Sequence, residues 1–274
     1  MGMGKKLSQI DRRIIFLVIG LAVALPLLFP IGLQIRVSEP AQRMYKAIDQ
    51  LPPGSKVLIS FDYDPTTMPE LYPMNIALVR HCFAKDLKVI GMALWPTGVP
   101  LGEEAFEIAA EDYGKSYGQD YVNLGYKAGD IVLISNLGKS IPQQFPIDFR
   151  GTPLEKLPIM KGVRSLKNID LVIDLSAGFP GIVEWTMIAG GRHHVKVGGG
   201  CTAVSAPSYY PYLQSKQIVG LLGGMKGAAE YETLMNARGA AAGGMDAQSI
   251  AHLVIILFIF IGNLFMFLGN KEKA

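Results

Sequence analysis

The chain has 274 residues, of which 50% are hydrophobic, and its 26 basic and 23 acidic residues give a formal net charge of +3. This length suits one domain with additional segments, and the apolar fraction is high for a soluble protein. The basic excess lies at the two ends, because residues 36–249 contain 20 basic and 21 acidic residues. A nucleic-acid-binding surface is therefore not indicated. Two cysteines are also too few for a disulfide scaffold.

Uncharged apolar stretches lie near both ends of the sequence. Residues 14–35 and residues 250–269 contain no Asp, Glu, Lys or Arg, and about 20 apolar residues span the hydrocarbon core of a bilayer. We predict a transmembrane helix in each. The first stretch is longer than the apolar region of a secretory signal peptide, which is the alternative, so we predict an uncleaved anchor.

Basic residues flank both predicted spans on the side facing the chain ends. Positive flanks stay in the cytoplasm, so we predict cytoplasmic tails at residues 1–13 and 270–274. The region between the spans is then extracytoplasmic, at the plasma membrane. The flanking residues are Lys5, Lys6, Arg12, Arg13, Lys271 and Lys273.

We predict a helical stalk at residues 36–55 and an α/β domain at residues 56–208. Its central strand is the almost wholly apolar run at residues 57–61, which suits a strand covered on both faces. Strands alternating with helices indicate βαβ units and a three-layer, Rossmann-like sandwich with a mostly parallel sheet. The remaining predicted strands are residues 88–94, 131–135, 170–175 and 193–197. The predicted helices are residues 69–85, 102–117, 154–166 and 182–189, with an irregular segment at residues 138–156.

The predicted topology gives the sheet two unlike edges. A helix after a parallel strand returns the chain to the edge where strands begin, and both membrane segments would join the domain there. The carboxyl edge, where the strands end and where open α/β sheets bind ligands, would then point away from the membrane.

Residues 209–249 are rich in glycine and alanine, and we predict that they form a juxtamembrane helical segment. Small residues at three- and four-residue spacing allow close helix–helix contact; a flexible linker is the alternative. Asn263, inside the second span, would prefer a partner helix to lipid. The candidate helix-packing glycines are Gly220, Gly223, Gly224 and Gly227.

Asp62-Tyr-Asp-Pro-Thr66 follows the predicted central strand in a DxDxT pattern. This stretch of about ten residues resembles the first motif of haloacid-dehalogenase-type phosphohydrolases. The resemblance implies that Asp62 is a nucleophile, that Asp64 is a general acid, and that Mg²⁺ lies between them and a later acidic pair. The alternative is that Asp62 and Asp64 cap the following helix.

The resemblance also assigns later residues of this chain to family roles. Ser135 would contact phosphate, and Lys161 or Lys167 would stand for the family's lysine. Asp170 or Asp174 would be the distal metal ligand, although these two residues flank a strand and do not follow it, as the family's acidic motif does.

Glycine-bearing turns follow several predicted strands and would gather at the carboxyl edge. Such turns can cradle anions, but none completes a dinucleotide or P-loop pattern, so we predict no cofactor. We also predict no metal site, because neighbouring His193 and His194 on a strand would point to opposite faces. The candidate ligand-binding residues are Asp62, Asp64, Thr66, Gly98, Gly178, Gly199 and Gly200.

These observations favour a non-enzymatic structural or assembly subunit of a membrane complex, formed with copies of itself or with other membrane proteins. A Mg²⁺-dependent phosphohydrolase using Asp62 and Asp64 is one alternative. An extracytoplasmic receptor for a small ligand or anion, bound by the glycine turns, is another.

Overall fold

A computed structural model of the protein describes residues 11–271, apart from the side chains of residues 265 and 268–271. Most of the predicted tails, including Lys5, Lys6 and Lys273, lies outside the described residues. The chain forms two compact units. The larger unit is Ile35–Ala241, and the other combines the two terminal segments.

The larger unit contains a six-stranded parallel sheet, which confirms the predicted Rossmann-like α/β architecture. The strand order is β3-β2-β1-β4-β5-β6, so the direction of winding reverses between β1 and β4. The strands are β1 (Lys56–Asp62), β2 (Lys88–Ala93), β3 (Tyr121–Tyr126), β4 (Leu171–Ser176), β5 (Lys196–Cys201) and β6 (Leu221–Gly223).

Helices cover both faces of this sheet. On one face α3, α4 and α10 pack together, and on the other α5 and α9 contribute to a continuous apolar core. The helices are α1 (Arg12–Leu28), α2 (Glu39–Asp49), α3 (Met68–Ala84), α4 (Gly98–Tyr113), α5 (Asp130–Leu137), α6 (Ile141–Gln144), α7 (Ile182–Trp185), a π-helical turn (Thr186–Gly190), α8 (Gly191–His193), α9 (Ala206–Gln214), α10 (Gly224–Leu234) and α11 (Ala240–Lys271).

The prediction of a buried central strand is confirmed by β1. It pairs with β2 on one side and β4 on the other, and every residue after Lys56 is buried. The sequence identified β1 by its continuous apolar run, which arises because helices cover both faces of this strand.

The third predicted strand, residues 131–135, is wrong, because this apolar run belongs to α5. A short apolar run does not distinguish a strand from a buried helix by periodicity. The true third strand, β3, contains Asn123 and Gly125, which weaken its strand pattern. The prediction of a helix at residues 154–166 is also wrong. This segment instead contains two short 3₁₀ turns, Leu154–Lys156 and Pro158–Met160.

The last two strands differ from the prediction as well. His193 ends α8 and His194 has a left-handed backbone, so β5 begins at Lys196 and includes the three glycines that follow Val197. A sixth strand, β6, lies inside the segment predicted as helical. Only three residues long and bounded by glycine, β6 gives almost no sequence signal.

Two of the four proposed helix-packing glycines, Gly220 and Gly223, are therefore not on a helix. Gly220 precedes β6, and a β-carbon there would lie 2.3 Å from the backbone nitrogen of Met44 in α2. Gly224 begins α10 with a φ of +62° and Gly227 lies within α10, where a β-carbon would be 2.8 Å from the Leu222 backbone. These glycines allow close backbone contact inside the α/β domain.

Neither edge strand of the sheet offers a long unpaired backbone. β6 has only three residues. On the outer side of β3, the Phe149 N–H donates to the Asn123 carbonyl at 2.9 Å. Both features limit the backbone available for pairing with another strand.

The terminal segments contain two apolar helices. Within the described residues, one helix is long and apolar enough to cross a bilayer, over Ala240–Leu264. The first predicted span, residues 14–35, is helical only to Leu28. It ends there because Phe29 precedes a proline, which disfavours helical backbone.

A buried carboxylate joins these terminal segments. Asp246 of α11 accepts hydrogen bonds from the backbone N–H groups of Gly32 and Leu33, at 2.8 and 3.0 Å. Asn263, further along α11, donates to the Ile259 carbonyl of its own helix at 2.9 Å.

The close contact at Gly220 predicts a large effect of adding one methyl group. We expect Gly220→Ala to lower the free energy of unfolding by about 1–3 kcal/mol or more, because the Met44 backbone cannot move aside without shifting α2. Gly191→Ala is the matched control, because a β-carbon there meets nothing closer than 3.8 Å. Chemical denaturation of the two variants measures the difference, and equal stabilities would contradict the packing.

Candidate functional site at the carboxyl edge of the sheet

A polar stripe crosses the seam between β1 and β4, where the winding of the sheet reverses. Ser60 is paired with Asp174, and Asp62 with Ser176. Because alternate residues of a strand share a face, these four side chains lie on the same face of the sheet. All four are fully buried.

Asp62 is held by groups of its own sheet. Its carboxylate accepts a hydrogen bond from the Ser60 hydroxyl at 2.7 Å and another from the Leu94 backbone N–H at 2.5 Å. Its side chain has 0% solvent exposure. Asp62 therefore ends β1 as an internal hydrogen-bond acceptor.

Asp62 and Asp174 form a coupled acidic pair. Burial raises the pKa of Asp62 to about 6, while hydrogen bonds from neighbouring groups oppose that rise. Burial, the charge of Asp62 and the charge of Glu184 together raise the pKa of Asp174 well above its ordinary value. Two buried, interacting carboxylates do not both ionise readily, so Asp174 is the member that keeps its proton, and among the described residues neither of its carboxyl oxygens has a hydrogen-bond partner.

Glu184 supplies the third buried carboxylate near this seam. It accepts a hydrogen bond from the Gly181 backbone N–H at 2.8 Å and so caps the first turn of α7. Within residues 11–271 no group of three His, Cys, Asp or Glu side chains has the arrangement to hold a metal ion.

Asp64 has a different environment from Asp62, although both belong to the DxDxT stretch. Its carboxylate accepts hydrogen bonds from the Thr66 hydroxyl and from the backbone N–H groups of Thr66 and Thr67. The Thr66 hydroxyl is the main reason that the pKa of Asp64 is lowered. Asp64 thus forms the turn that leads into α3, but Thr67 is the N-cap residue of that helix and no side chain in the described part of the protein caps it, so the prediction that Asp62 and Asp64 cap the helix is wrong. Thr66 is exposed beside Asp64.

Of the later residues assigned by the phosphohydrolase resemblance, Asp174 lies beside Asp62 at the seam, and the others do not. Ser135 lies within α5 and does not end a strand, so its predicted position is wrong. Asp170 is at the opposite edge, where it accepts a hydrogen bond from the Lys56 backbone N–H at 2.7 Å. Lys161 lies near that same edge, where its carbonyl accepts a hydrogen bond from the Lys56 ammonium group. Lys167 lies in a 3₁₀ turn just before β4.

The four candidate ligand-binding glycines occupy three kinds of position. Gly199 and Gly200 lie inside β5, so their placement in a turn is wrong; β-carbons there would meet Ile182 at 2.5 Å and Leu175 at 2.6 Å. Gly98 begins α4, where a β-carbon would lie 1.7 Å from the Phe61 carbonyl oxygen. Of the four, only Gly178 lies in a partly exposed turn after a strand.

The carboxyl edge instead exposes large apolar side chains, which the sequence interpretation missed. The larger unit has ten exposed large apolar residues, and seven of them follow or flank the ends of β3, β4 and β5. Val204 is 88% exposed and Phe179 is 62% exposed. The seven are Tyr126, Ile131, Val132, Ile147, Phe149, Phe179 and Val204, and we call them the carboxyl-edge apolar set.

Comparisons with known proteins give little beyond this geometry. No family model matches the chain, and no curated protein matches it. Solved structures that match include the apo structure of OtsA, at 11% identity and a TM-score of 0.33. The match covers 83% of this chain and 47% of that one, so the chain spans less than half the length of that structure.

The raised pKa values of the acidic pair predict a pH-dependent effect of Asp174→Asn. In the unfolded chain both carboxyls ionise near pH 4, whereas in the folded chain Asp62 ionises near pH 6 and Asp174 above its ordinary range. The pair therefore stabilises the fold most at low pH, and that contribution is lost as the pH rises through the folded pKa values. Asparagine does not ionise, so the variant avoids the cost of ionising residue 174 in the folded chain, and its stability relative to wild type should increase with pH.

Thermal unfolding between about pH 4 and pH 8 measures this difference. Asp64→Asn is the control. Because the pKa of Asp64 is lowered in the folded chain, its contribution is complete once the pH exceeds the unfolded value near 4. The relative stability of Asp64→Asn should therefore fall slightly at the acid end of this range and then stay level. A rise with pH in both variants, or in neither, would contradict the raised pKa values of the acidic pair.

Proposed function

We propose that this chain is a membrane-anchored, non-enzymatic assembly subunit whose α/β domain lies outside the cytoplasm. In this proposal the domain binds another protein chain through its carboxyl edge, either a second copy or another membrane subunit. The carboxyl-edge apolar set is the observation that carries the proposal.

Scattered exposed apolar residues are normal on protein surfaces, but a concentration of them indicates an interaction site. Seven of the ten in the larger unit lie at one edge. The edge combines aromatic and branched aliphatic side chains, and aromatic residues are enriched in protein interfaces. Covering them with a partner removes apolar surface from water, which stabilises association.

The proposed anchoring rests on the two terminal segments. The helix over Ala240–Leu264 has the length and composition of a membrane span, and α1 exposes apolar side chains along its length. Asp246 links the chain after α1 to α11, which favours a pair of anchors acting together. The proposed orientation, with both ends cytoplasmic, comes from the basic flanks.

The two ends of the α/β domain are fastened to the same helix, α10. Near the start of the domain, the Ser38 hydroxyl donates to Glu230 at 2.5 Å. Near its end, Glu232 accepts hydrogen bonds from the backbone N–H groups of Gly239 and Ala241. This arrangement supports a domain whose first and last segments are both held by α10 and whose carboxyl edge binds a partner.

The two alternative functions receive less support from the geometry. A phosphohydrolase nucleophile must touch its substrate, and Asp62 has no exposed surface. A receptor using the glycine turns would need exposed backbone there, but Gly98, Gly199 and Gly200 are buried against neighbouring chain.

The double variant Phe179→Ser/Val204→Ser tests the proposed assembly surface. We expect the full chain, purified in mild detergent, to form a complex larger than a monomer, and we expect the variant to lose that complex. Exposed substitutions change folding stability by only about 0.5 kcal/mol, so a loss of mass would report on association. Multi-angle light scattering gives the mass of the protein component.

Tyr113→Ser is the matched control, because Tyr113 is exposed at the end of α4 and outside the carboxyl-edge apolar set. A wild-type chain that is a stable monomer with no co-purifying protein would refute the assembly proposal.

Reporter fusions test the proposed membrane orientation separately. A phosphatase active only outside the cytoplasm should be active when fused after residue 150 and inactive when fused after residue 274. The basic flanks predict this pattern. Activity at the second site, or a mature chain that begins after residue 35, would contradict it.

A further inference from the structure

An open groove of about 480 Å³ lies at the amino edge of the sheet, where β5 and β6 begin. Its walls include the π-helical turn, the start of β5 and the residues just before β6. Three of its lining side chains carry, or can carry, positive charge: His194, Lys196 and Lys216. Its lining residues include no acidic side chain.

The positive charge around this groove is not balanced locally. Lys196, Lys216 and the neighbouring Arg192 are exposed, and within the fully described α/β domain no carboxylate forms a salt bridge with them. Residues 185–229 contain four basic residues and no acidic one, although Ile35–Ala241 has 20 of each. The fourth basic residue, Lys226, is paired with Glu230 at 2.6 Å.

Two of the groove residues sit where glycine is ordinarily favoured. His194 follows α8 with a φ of +58°, and Lys216 follows α9 with a φ of +59°. Left-handed positions after a helix usually take glycine or asparagine. Placing a histidine and a lysine there costs conformational energy and fixes where both side chains leave the backbone.

The groove lies beside the helix through which the chain enters the α/β domain. Arg43 of α2 donates to the carbonyls of Leu213, Ile218 and Val219 at 3.1–3.2 Å, and Val219 lines the groove. The chain leaves the domain after α10, which also runs toward the amino edge. The positive charges of Lys196 and Lys216 therefore lie at the edge to which the proposed membrane segments connect.

We propose that this groove binds the phosphate-bearing headgroup of an anionic phospholipid. The proposal deepens the proposed function, because it rests on membrane attachment at this edge. Lysine ammonium groups supply point charges for phosphate oxygens, and each lysine close to anionic lipid adds about 1 kcal/mol of attraction. Gly190 and Gly191 contribute backbone without side chains to the lining of the groove.

The test uses the full chain in mild nonionic detergent and three soluble probes: dihexanoyl phosphatidylglycerol, dihexanoyl phosphatidylcholine and inorganic phosphate. Ligand binding to the folded state raises the midpoint of thermal unfolding. We expect phosphatidylglycerol to raise the Tm of the wild type, and the other two probes to leave it unchanged. In Lys196→Gln/Lys216→Gln the apparent affinity for phosphatidylglycerol should fall by about 30-fold.

Lys226→Gln is the matched control, because that lysine is paired with Glu230 and does not line the groove. Lys196→Arg/Lys216→Arg keeps the charge and should retain binding. Should the glutamine variant unfold, weakening of wild-type binding by added salt serves as the second measurement.

Equal shifts with phosphatidylcholine, or unchanged affinity in the glutamine variant, would overturn the proposal. An equal shift with inorganic phosphate would make the groove a site for free anions and would overturn its assignment to lipid. A monomeric protein that still binds phosphatidylglycerol through Lys196 and Lys216 would refute the assembly surface and leave the groove intact, so the two failures are distinguishable.

Discussion

The pairing of β1 with β4 is the constraint on which the sheet depends. The strands β1, β2 and β3 form one half and β4, β5 and β6 the other, and the two halves are joined in the sheet only along this seam. The Asp62–Asp174 pair lies across the seam, with one carboxyl from each half. In a buried environment an ionised carboxylate is costly, and burial keeps the pKa of Asp174 well above its ordinary value. The first aspartate of the DxDxT pattern is therefore an internal residue at the junction of the two halves.

Sequence reasoning succeeded where the local pattern matched the burial of the element. The central strand and β2 are continuous apolar runs, and α3 begins after a proline-containing turn, so their positions followed from composition alone. It failed where tertiary packing overrides the pattern. Residues 131–135 have strand-like composition but form a helix, and β3 contains asparagine and glycine because Asn123 is stabilised by contacts from other elements. Its amide donates to the Val99 carbonyl and to Glu103, on residues far away in the sequence.

The candidate site was harder to predict than the fold, since its character depends on partners from other strands. Asp62 and Asp64 are two residues apart, and the DxDxT pattern treats them as one unit. In the structure Asp62 is enclosed by Ser60, Leu94 and Asp174, whereas Asp64 faces the turn before α3. Asp174 lies inside β4, whereas the sequence interpretation placed it at the flank of that strand. The exposure of Phe179 and Val204 gave no sequence signal, because an apolar residue in a turn looks the same in the sequence whether it is covered or not.

The two edge strands have a consequence for how copies of this chain can meet. An open parallel sheet with free margins is able to accept a further strand, which leads to open-ended polymers. Here one edge strand, β6, is only three residues long, and the backbone of the other, β3, already accepts a hydrogen bond from a neighbouring loop. Growth by adding strands is thereby limited on both sides. Any assembly of a definite size must instead be specified by side chains, whose shape and chemistry limit the number of neighbours.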